Sequence, residues 1–302
     1  MTFLGIDLHT NCFTCCYLEE RSQERRTESF QISGEGFERF FRTLTPQTHV
    51  LIEATINTFA FVERFQHRVG EVVIANTFRL KLISLTNKKT DKVDAEKLAR
   101  ILKMQVLSGE QQVSPVVIPP GFVQDLRSLF SSYVLMRKEI TATKNRIHSL
   151  LKQALFPFTK EYIFGKKTRP SILAISDDPV LKAQLGLLFE LLESLETKAE
   201  EFSDLILVAA APFMSEIDVL TSMKGVSVFT AAAIMSDIIT VERFPNSKHF
   251  TSYLRSAPRV ESSNEKTIIK STNKCGRKMS IILLSQSLNH FRDSNPKLTA
   301  WH

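Results

Sequence analysis

Residues 3–18 read FLGIDLHTNCFTCCYL, and this stretch decides the fold. FLGIDL (3–8) and FTCCYL (13–18) are apolar runs of strand length, and the polar triplet His9-Thr10-Asn11 between them is a turn. A third strand is expected at 26–32, where Phe30 and Ile32 alternate with polar residues. Gly34 and Gly36 then open a helix-like stretch from Phe37 to Leu44, which ends before Pro46. Beyond it, HVLI (49–52) is a short buried strand followed by Glu53, a helix is predicted at about 57–68, and EVVIA (71–75) is a further strand. Helices at about 77–85 and 91–107 follow. Three strands in succession, then strands alternating with helices, predict a mixed α/β sheet.

The middle of the chain changes period. Leu126, Leu129, Tyr133, Met136, Ile140, Thr143, Ile147, Leu150 and Ala154 recur in steps of three and four, and so do Leu181, Leu185, Leu188, Leu192, Leu195, Ala199, Phe202 and Ile206. Two such runs joined by a stretch containing Pro157, Pro170 and Pro179 predict an antiparallel helical hairpin or coiled coil. It serves either as a bundle core within one chain or as a dimerisation arm. Residues 217–240 read as helix, turn (Lys224-Gly225-Val226) and helix, either a plain helical turn or one whose amides hold a phosphate. From Ser256 to Ile282 the chain is polar and expected to be loop-like, with a helix after Gly276.

At 302 residues, 43% hydrophobic and 24% charged, the chain has a real core and room for two ordinary domains. No run approaches the roughly 18 apolar residues of a membrane span. The opening MTFLGIDLHT carries an acid and no basic region, so no secretory signal is expected. Cys12, Cys15, Cys16 and Cys275 are accordingly expected as reduced thiols in the cytoplasm. The net charge of +7 is concentrated. Residues 243–292 hold ten cations against Glu261 and Glu265, a balance of +8, which leaves −1 for the rest. A local excess of this kind fits a polyanion such as nucleic acid, although a solubilising surface has the same composition.

Four acids stand out. Asp7 and Glu53 lie at the ends of apolar strands, and Asp91 and Asp94 begin a helix in TDKVDAEKLA behind a possible Thr90 cap. Their i, i+3 spacing puts Asp91 and Asp94 on one helical face. Acids from two strand ends and a helix could hold two hard cations, such as Mg²⁺, which clamp the attacking and leaving oxygens of a phosphodiester. Singly, each acid is equally well a turn cap, a solvated strand end or an answer to the helix dipole. Lys88, Lys89 and Lys92 pair with these acids, contact phosphates or are simply exposed.

Other chemistry finds little support. Cys12 and Cys15 form a lone CxxC inside a strand pattern, the seven histidines show no ligand spacing, and no GxGxxG or GxxxxGK[ST] is present. Ser262 and Ser263 lie among Arg259, Lys266 and Lys270, cations able to stabilise a phosphorane; by composition the two serines are ordinary loop residues.

GIDLH at the start, LIEAT (51–55) and KKTDKVDAEKLARIL (88–102) resemble the DEDD transposases of the IS110 insertion-sequence family (IS116/IS110/IS902 type). KNRIHSLLKQALFP, IFGKK, LTSMKGVSVFTAAAIMSDI, FTSYLRSAPRVESS and IIKSTNKCGRKMSIIL extend the resemblance in order over nearly the whole chain. It implies a RuvC-like RNase H fold domain (1–120), a coiled-coil segment (121–208) and a mainly α C-terminal transposase domain (209–302). It implies that Asp7, Glu53, Asp91 and Asp94 are the metal-binding tetrad, with two Mg²⁺ ions per site. It further implies a serine that forms a covalent phosphoserine link to DNA. The family pattern places that serine at Ser263, with Ser262 next to it and Asn264 where the family has glycine. Asn reaches the left-handed backbone region more readily than most residues, so the pattern survives the exchange. The resemblance also implies a structured bridge RNA that specifies donor and target double-stranded DNA, and dimers that pair into a tetramer in which the tetrad of one subunit meets the serine of another. Lys88, Lys89, Arg259, Lys266, Lys270, Lys274, Arg277 and Lys278 are expected to contact nucleic acid. Two rivals predict differently: a RuvC-like nuclease that hydrolyses without a protein link, and a binder in which the tetrad does not assemble.

Overall fold

The two N-terminal apolar runs pair as a hairpin. In the computed structural model, residues 1–22, 24–76, 90–156, 163–165, 167–175, 178–263, 266–272 and 276–293 are described, with backbone alone for 259–263, 266–270 and 288–293. The chain divides into two units, Met1–Pro119 and Pro120–His302.

In the first unit β1 (Thr2–Leu8), β2 (Cys12–Glu19) and β3 (Arg25–Gln31) form an antiparallel meander, and β4 (Thr48–Glu53) and β5 (Glu71–Ala75) add in parallel on the other side of β1. The order is β3-β2-β1-β4-β5, so the first strand of the chain is the middle of the sheet. Alternation along the strands divides the core in two. Leu4, Ile6, Leu8, Phe13, Cys15, Val50 and Ile52 meet α1 (Gly34–Phe41) and α2 (Thr58–Glu63) on one face. There Phe13 packs against Phe30, Phe37, Phe40 and Phe61 with ring centroids 4.7–5.9 Å apart, near the favoured range for aromatic pairs. The predicted helix at 57–68 is shorter than expected. Bonds from the Arg64 and Phe65 amides reach back three residues instead of four, which tightens and ends α2.

Phe3, Cys16, Leu18, Leu51, Val73 and Ala75 point to the opposite face, which α3 (Asp91–Ser108) covers with Ala95, Leu98, Ala99 and Leu102. Gly5 lies directly beneath. A Cβ there would come within 2.1 Å of the Ala95 carbonyl oxygen and 2.4 Å of the Ala99 amide nitrogen. Gly5→Val is therefore expected to lift α3 off the sheet and to cost about 3 kcal/mol, read from urea unfolding. The helix predicted at 77–85 lies outside the described residues.

In the second unit α4 (Gly121–Gln153) and α6 (Pro179–Ala209) pack antiparallel, with α5 (Arg169–Ile175) alongside. Leu126 and Phe130 share a core with Ile206, whereas Ile147 and Leu150 share one with Leu185. The expected three-four steps supply much of this contact; Phe130 and Phe189, off the predicted positions, supply more. After α7 (Met214–Thr221) and a turn where Gly225 has φ 98°, α8 (Val228–Ile238) is apolar on nearly every side and buried from Thr230 to Ile238. Next come α9 (Ser247–Tyr253), β6 (Pro258–Ser263), β7 (Lys266–Thr272) and α10 (Met279–Asp293).

The β6–β7 pair corrects the expected loop at 256–282. It is an antiparallel hairpin in which Ser263 is opposite Lys266 and Glu261 opposite Ile268. Val260, Thr267, Ile268 and Ile269 are β-branched, and their strand preference outweighs the polar composition around them. No described helix is long and apolar enough to cross a membrane.

Candidate metal centre and the buried clamp of the second unit

The acids of the first unit reach one edge of the sheet by strand parity. Asp7 follows Phe3 and Gly5 onto the face under α3, and Glu53 follows Leu51 onto that same face. The register pairs Ile6 with Ile52, which sets Asp7 and Glu53 level at the carboxyl ends of adjacent parallel strands. Side chains tie those ends together. Asn57 Nδ2 donates to the His9 carbonyl at 3.3 Å, and Thr58 Oγ1 donates to the Glu53 carbonyl at 2.8 Å.

From above, α3 brings its first turn. Thr90 caps it, with Oγ1 accepting from the Val93 amide, as the sequence predicts. Asp91 then meets the strand end. Asp7, His9 and Asp91 each offer a ligand atom, and the three atoms lie within 4.8 Å of one another. His9 Nε2 is 3.2 Å from Asp7 Oδ2 and 3.3 Å from Asp91 Oδ1. Asp94 lies one helical turn on and pairs with Lys97 at 3.0 Å. Glu53 is at the neighbouring strand end and outside the three-atom group.

Burial raises the pKa of Asp7; the His9 ring opposes the rise, and the charges of Asp91 and Asp94 add to it. Two carboxylate oxygens and an imidazole nitrogen at this spacing fit a divalent cation, whose charge would reverse the repulsion. His9 corrects the expectation that no histidine has ligand spacing. Its signal was present in GIDLH, since residues i and i+2 at a strand end share a side. Lys92 is exposed, and Lys88 and Lys89 lie outside the described residues. Cys15 and Cys16 are buried and unpaired, and burial pushes both thiols up.

The second unit holds a different cluster. Asp237 on α8 is fully buried, and its carboxylate accepts from Arg277 Nε (2.8 Å), the Ser280 amide (2.9 Å) and Ser280 Oγ (2.7 Å). Arg127 donates to the carbonyls of Ser236 and Asp237, and Tyr253 Oη to that of Asp237. Burial, with Arg277 nearby, lowers the Arg127 guanidinium to about 10. The ends of the hairpin segment are fixed close by. Arg255 Nε donates to the Gly276 carbonyl, the Arg277 amide donates to the Tyr253 carbonyl, and Gly276 has φ 108°.

Part of the basic window is thus built into the fold: Arg277 holds Asp237, Arg255 holds Gly276, and Arg243 bonds the Ile238 carbonyl and lies over Phe244 and Tyr253. Lys278 is exposed. Arg259, Ser262, Ser263, Lys266 and Lys270 are placed by backbone on β6 and β7, and Lys274 lies outside the described residues.

A mixed sheet with acids converging at its strand ends, followed by a mainly helical unit, is the setting in which the comparisons fall. Residues 4–157 match a family model described as a transposase of the DEDD, IS110 type, and residues 217–294 match one described as the transposase of the IS116/IS110/IS902 family. The chain belongs to the IS110 family of transposases, and so is an enzyme that acts on DNA. The sheet and its helices are compatible with a RuvC-like domain, and the DEDD type goes with use of a divalent metal. A search of curated proteins found no match.

Proposed function

We propose that the chain excises and integrates an insertion sequence by cutting and rejoining donor and target double-stranded DNA under the direction of a bridge RNA. The observation that carries this reading is the meeting of Asp7 and Asp91 at the sheet edge, with Asp94 and Glu53 beside them, in a chain of this family. Asp7, Glu53, Asp91 and Asp94 hold Mg²⁺, two ions per site. A metal held there would supply positive charge to the scissile phosphate. The rigid strand ends and capped helix keep the carboxylates in place before DNA arrives, which favours the charged transition state over the ground state.

Ser263 is the nucleophile. Its Oγ forms a bond to phosphorus as the phosphorus–oxygen bond to the adjoining nucleotide breaks, and the serine proton passes to solvent or to the departing oxygen. Rejoining reverses these steps on a new strand end. Lys88, Lys89, Arg259, Lys266, Lys270, Lys274 and Lys278 grip phosphates of DNA and RNA, whereas Arg277 is engaged with Asp237, and the affinity falls steeply with salt. The helical middle acts as a coiled coil in homodimers that pair into a tetramer. Leu187, Leu191 and Leu205 on α6, left exposed by its packing on α4, support that role. The protein works in the cytoplasm.

The test is a denaturing protein gel after incubation with labelled donor DNA, the element's RNA and Mg²⁺. Label is expected to stay on the wild-type protein and to vanish with Ser263→Ala. Cleaved DNA without protein-linked label would replace this reading with a hydrolytic nuclease; retained DNA without any cleavage would leave a binder.

A further inference from the structure

His9 stands between the carboxylates, not beside them. Its Nε2 is hydrogen-bonded to Asp7 Oδ2 at 3.2 Å and lies 3.3 Å from Asp91 Oδ1, so one ring nitrogen faces an oxygen of each carboxylate. A cation placed among these three atoms would be met by the nitrogen and by an oxygen of each carboxylate. The backbone on either side of the ring is fixed: the His9 amide donates to the Cys12 carbonyl at 2.9 Å, and its carbonyl accepts from Asn57. The ring is delivered by a closed turn at the end of the central strand.

We propose that His9 is a direct ligand of the metal at this site, together with Asp7 and Asp91, and that its nitrogen makes the site prefer Mn²⁺ to Mg²⁺. The inference rests on the metal reading given above and deepens it. Mg²⁺ is hard and strongly favours oxygen, whereas imidazole bonds well to transition-metal ions. An all-carboxylate site lacks that preference. A His9 that merely steadies the two carboxylates would leave no nitrogen on the metal.

The experiment uses the full chain with Mn²⁺ as probe. Binding is followed by loss of the free-ion electron paramagnetic resonance signal, and nitrogen ligation by ¹⁴N modulation of the electron spin echo. The wild type is expected to show ¹⁴N modulation that disappears in His9→Gln. In that variant Mn²⁺ affinity should fall at least about tenfold. Mg²⁺ affinity, measured by competition, should fall less, so that the preference narrows. His9 is half exposed, so the variant is expected to fold, which its circular dichroism and melting temperature check. Mn²⁺ bound without ¹⁴N modulation, or with modulation that persists in His9→Gln, would overturn the proposal while leaving the metal site intact, provided Asp7→Asn still weakens binding. Absence of any Asp7-dependent binding would overturn both.

Discussion

If Asp7 holds the metal as proposed, Asp7→Asn is expected to reduce DNA strand cleavage by at least about a thousandfold, since it withdraws a ligand from chemistry to which a metal contributes several kcal/mol. The same variant is expected to melt higher than the wild type when both are free of metal. The sign follows from the raised pKa of Asp7. A carboxyl whose folded pKa lies above its unfolded value binds its proton more tightly in the folded chain. The stabilisation is therefore present at low pH and is lost as pH rises through the folded value. At neutral pH the ionised Asp7 strains the site, and a neutral amide of equal size relieves that strain. A rise of about 1–4 °C in metal-free buffer is expected, by differential scanning calorimetry. Added Mn²⁺ should raise the wild-type midpoint and leave the variant's nearly unchanged. A variant less stable than the wild type would mean that the Asp7–His9 bond outweighs burial and repulsion.

Asp237→Ala is expected to be among the most damaging single changes in the second unit, at roughly 3–5 kcal/mol. It strips the partner from Arg277 and from both donors of the buried Ser280. Ser280 Oγ keeps its bond to the Ala233 carbonyl, but its amide is left buried without an acceptor. Asp237→Asn, which keeps the shape and one acceptor oxygen, should lose less. Urea midpoints of the two variants check the order. Because Arg277 also borders the segment that carries Ser263, Asp237→Ala is expected to depress protein–DNA adduct formation beyond what the unfolded fraction explains, at temperatures where most of the chain is folded.

The sheet was readable because its signals are local: strand-length apolar runs separated by Asn, Gly and Pro, with helices between. The long helical pair was readable from its period alone. The β6–β7 hairpin was not, since its strands are mostly polar and charged and only Val260, Thr267, Ile268 and Ile269 indicate their state. Of the site, Asp7 and Asp91 come together as the strand-end and helix-start pattern suggests, and Asp94 follows one helical turn on. His9 went unread because it looks like a turn residue; parity with Asp7 gives it away only when the strand is known to end there. Asp237 was invisible inside an apolar helix, for its partners lie 40 and 43 residues further on. The cations of that region read as one polyanion surface, yet three of the arginines hold backbone or carboxylate groups of their own fold.

Gly5 gives the site a schedule. Asp91 and its helix are made 84 residues after Asp7, and that helix must then settle over the bare glycine backbone. At ordinary rates of synthesis that interval is roughly 4–17 s. During it β4 is made and pairs with β1, setting Glu53 level with Asp7 before Asp91 and Asp94 join them. The carboxylate set proposed to hold metal is therefore complete only once α3 has been made and has settled on the sheet.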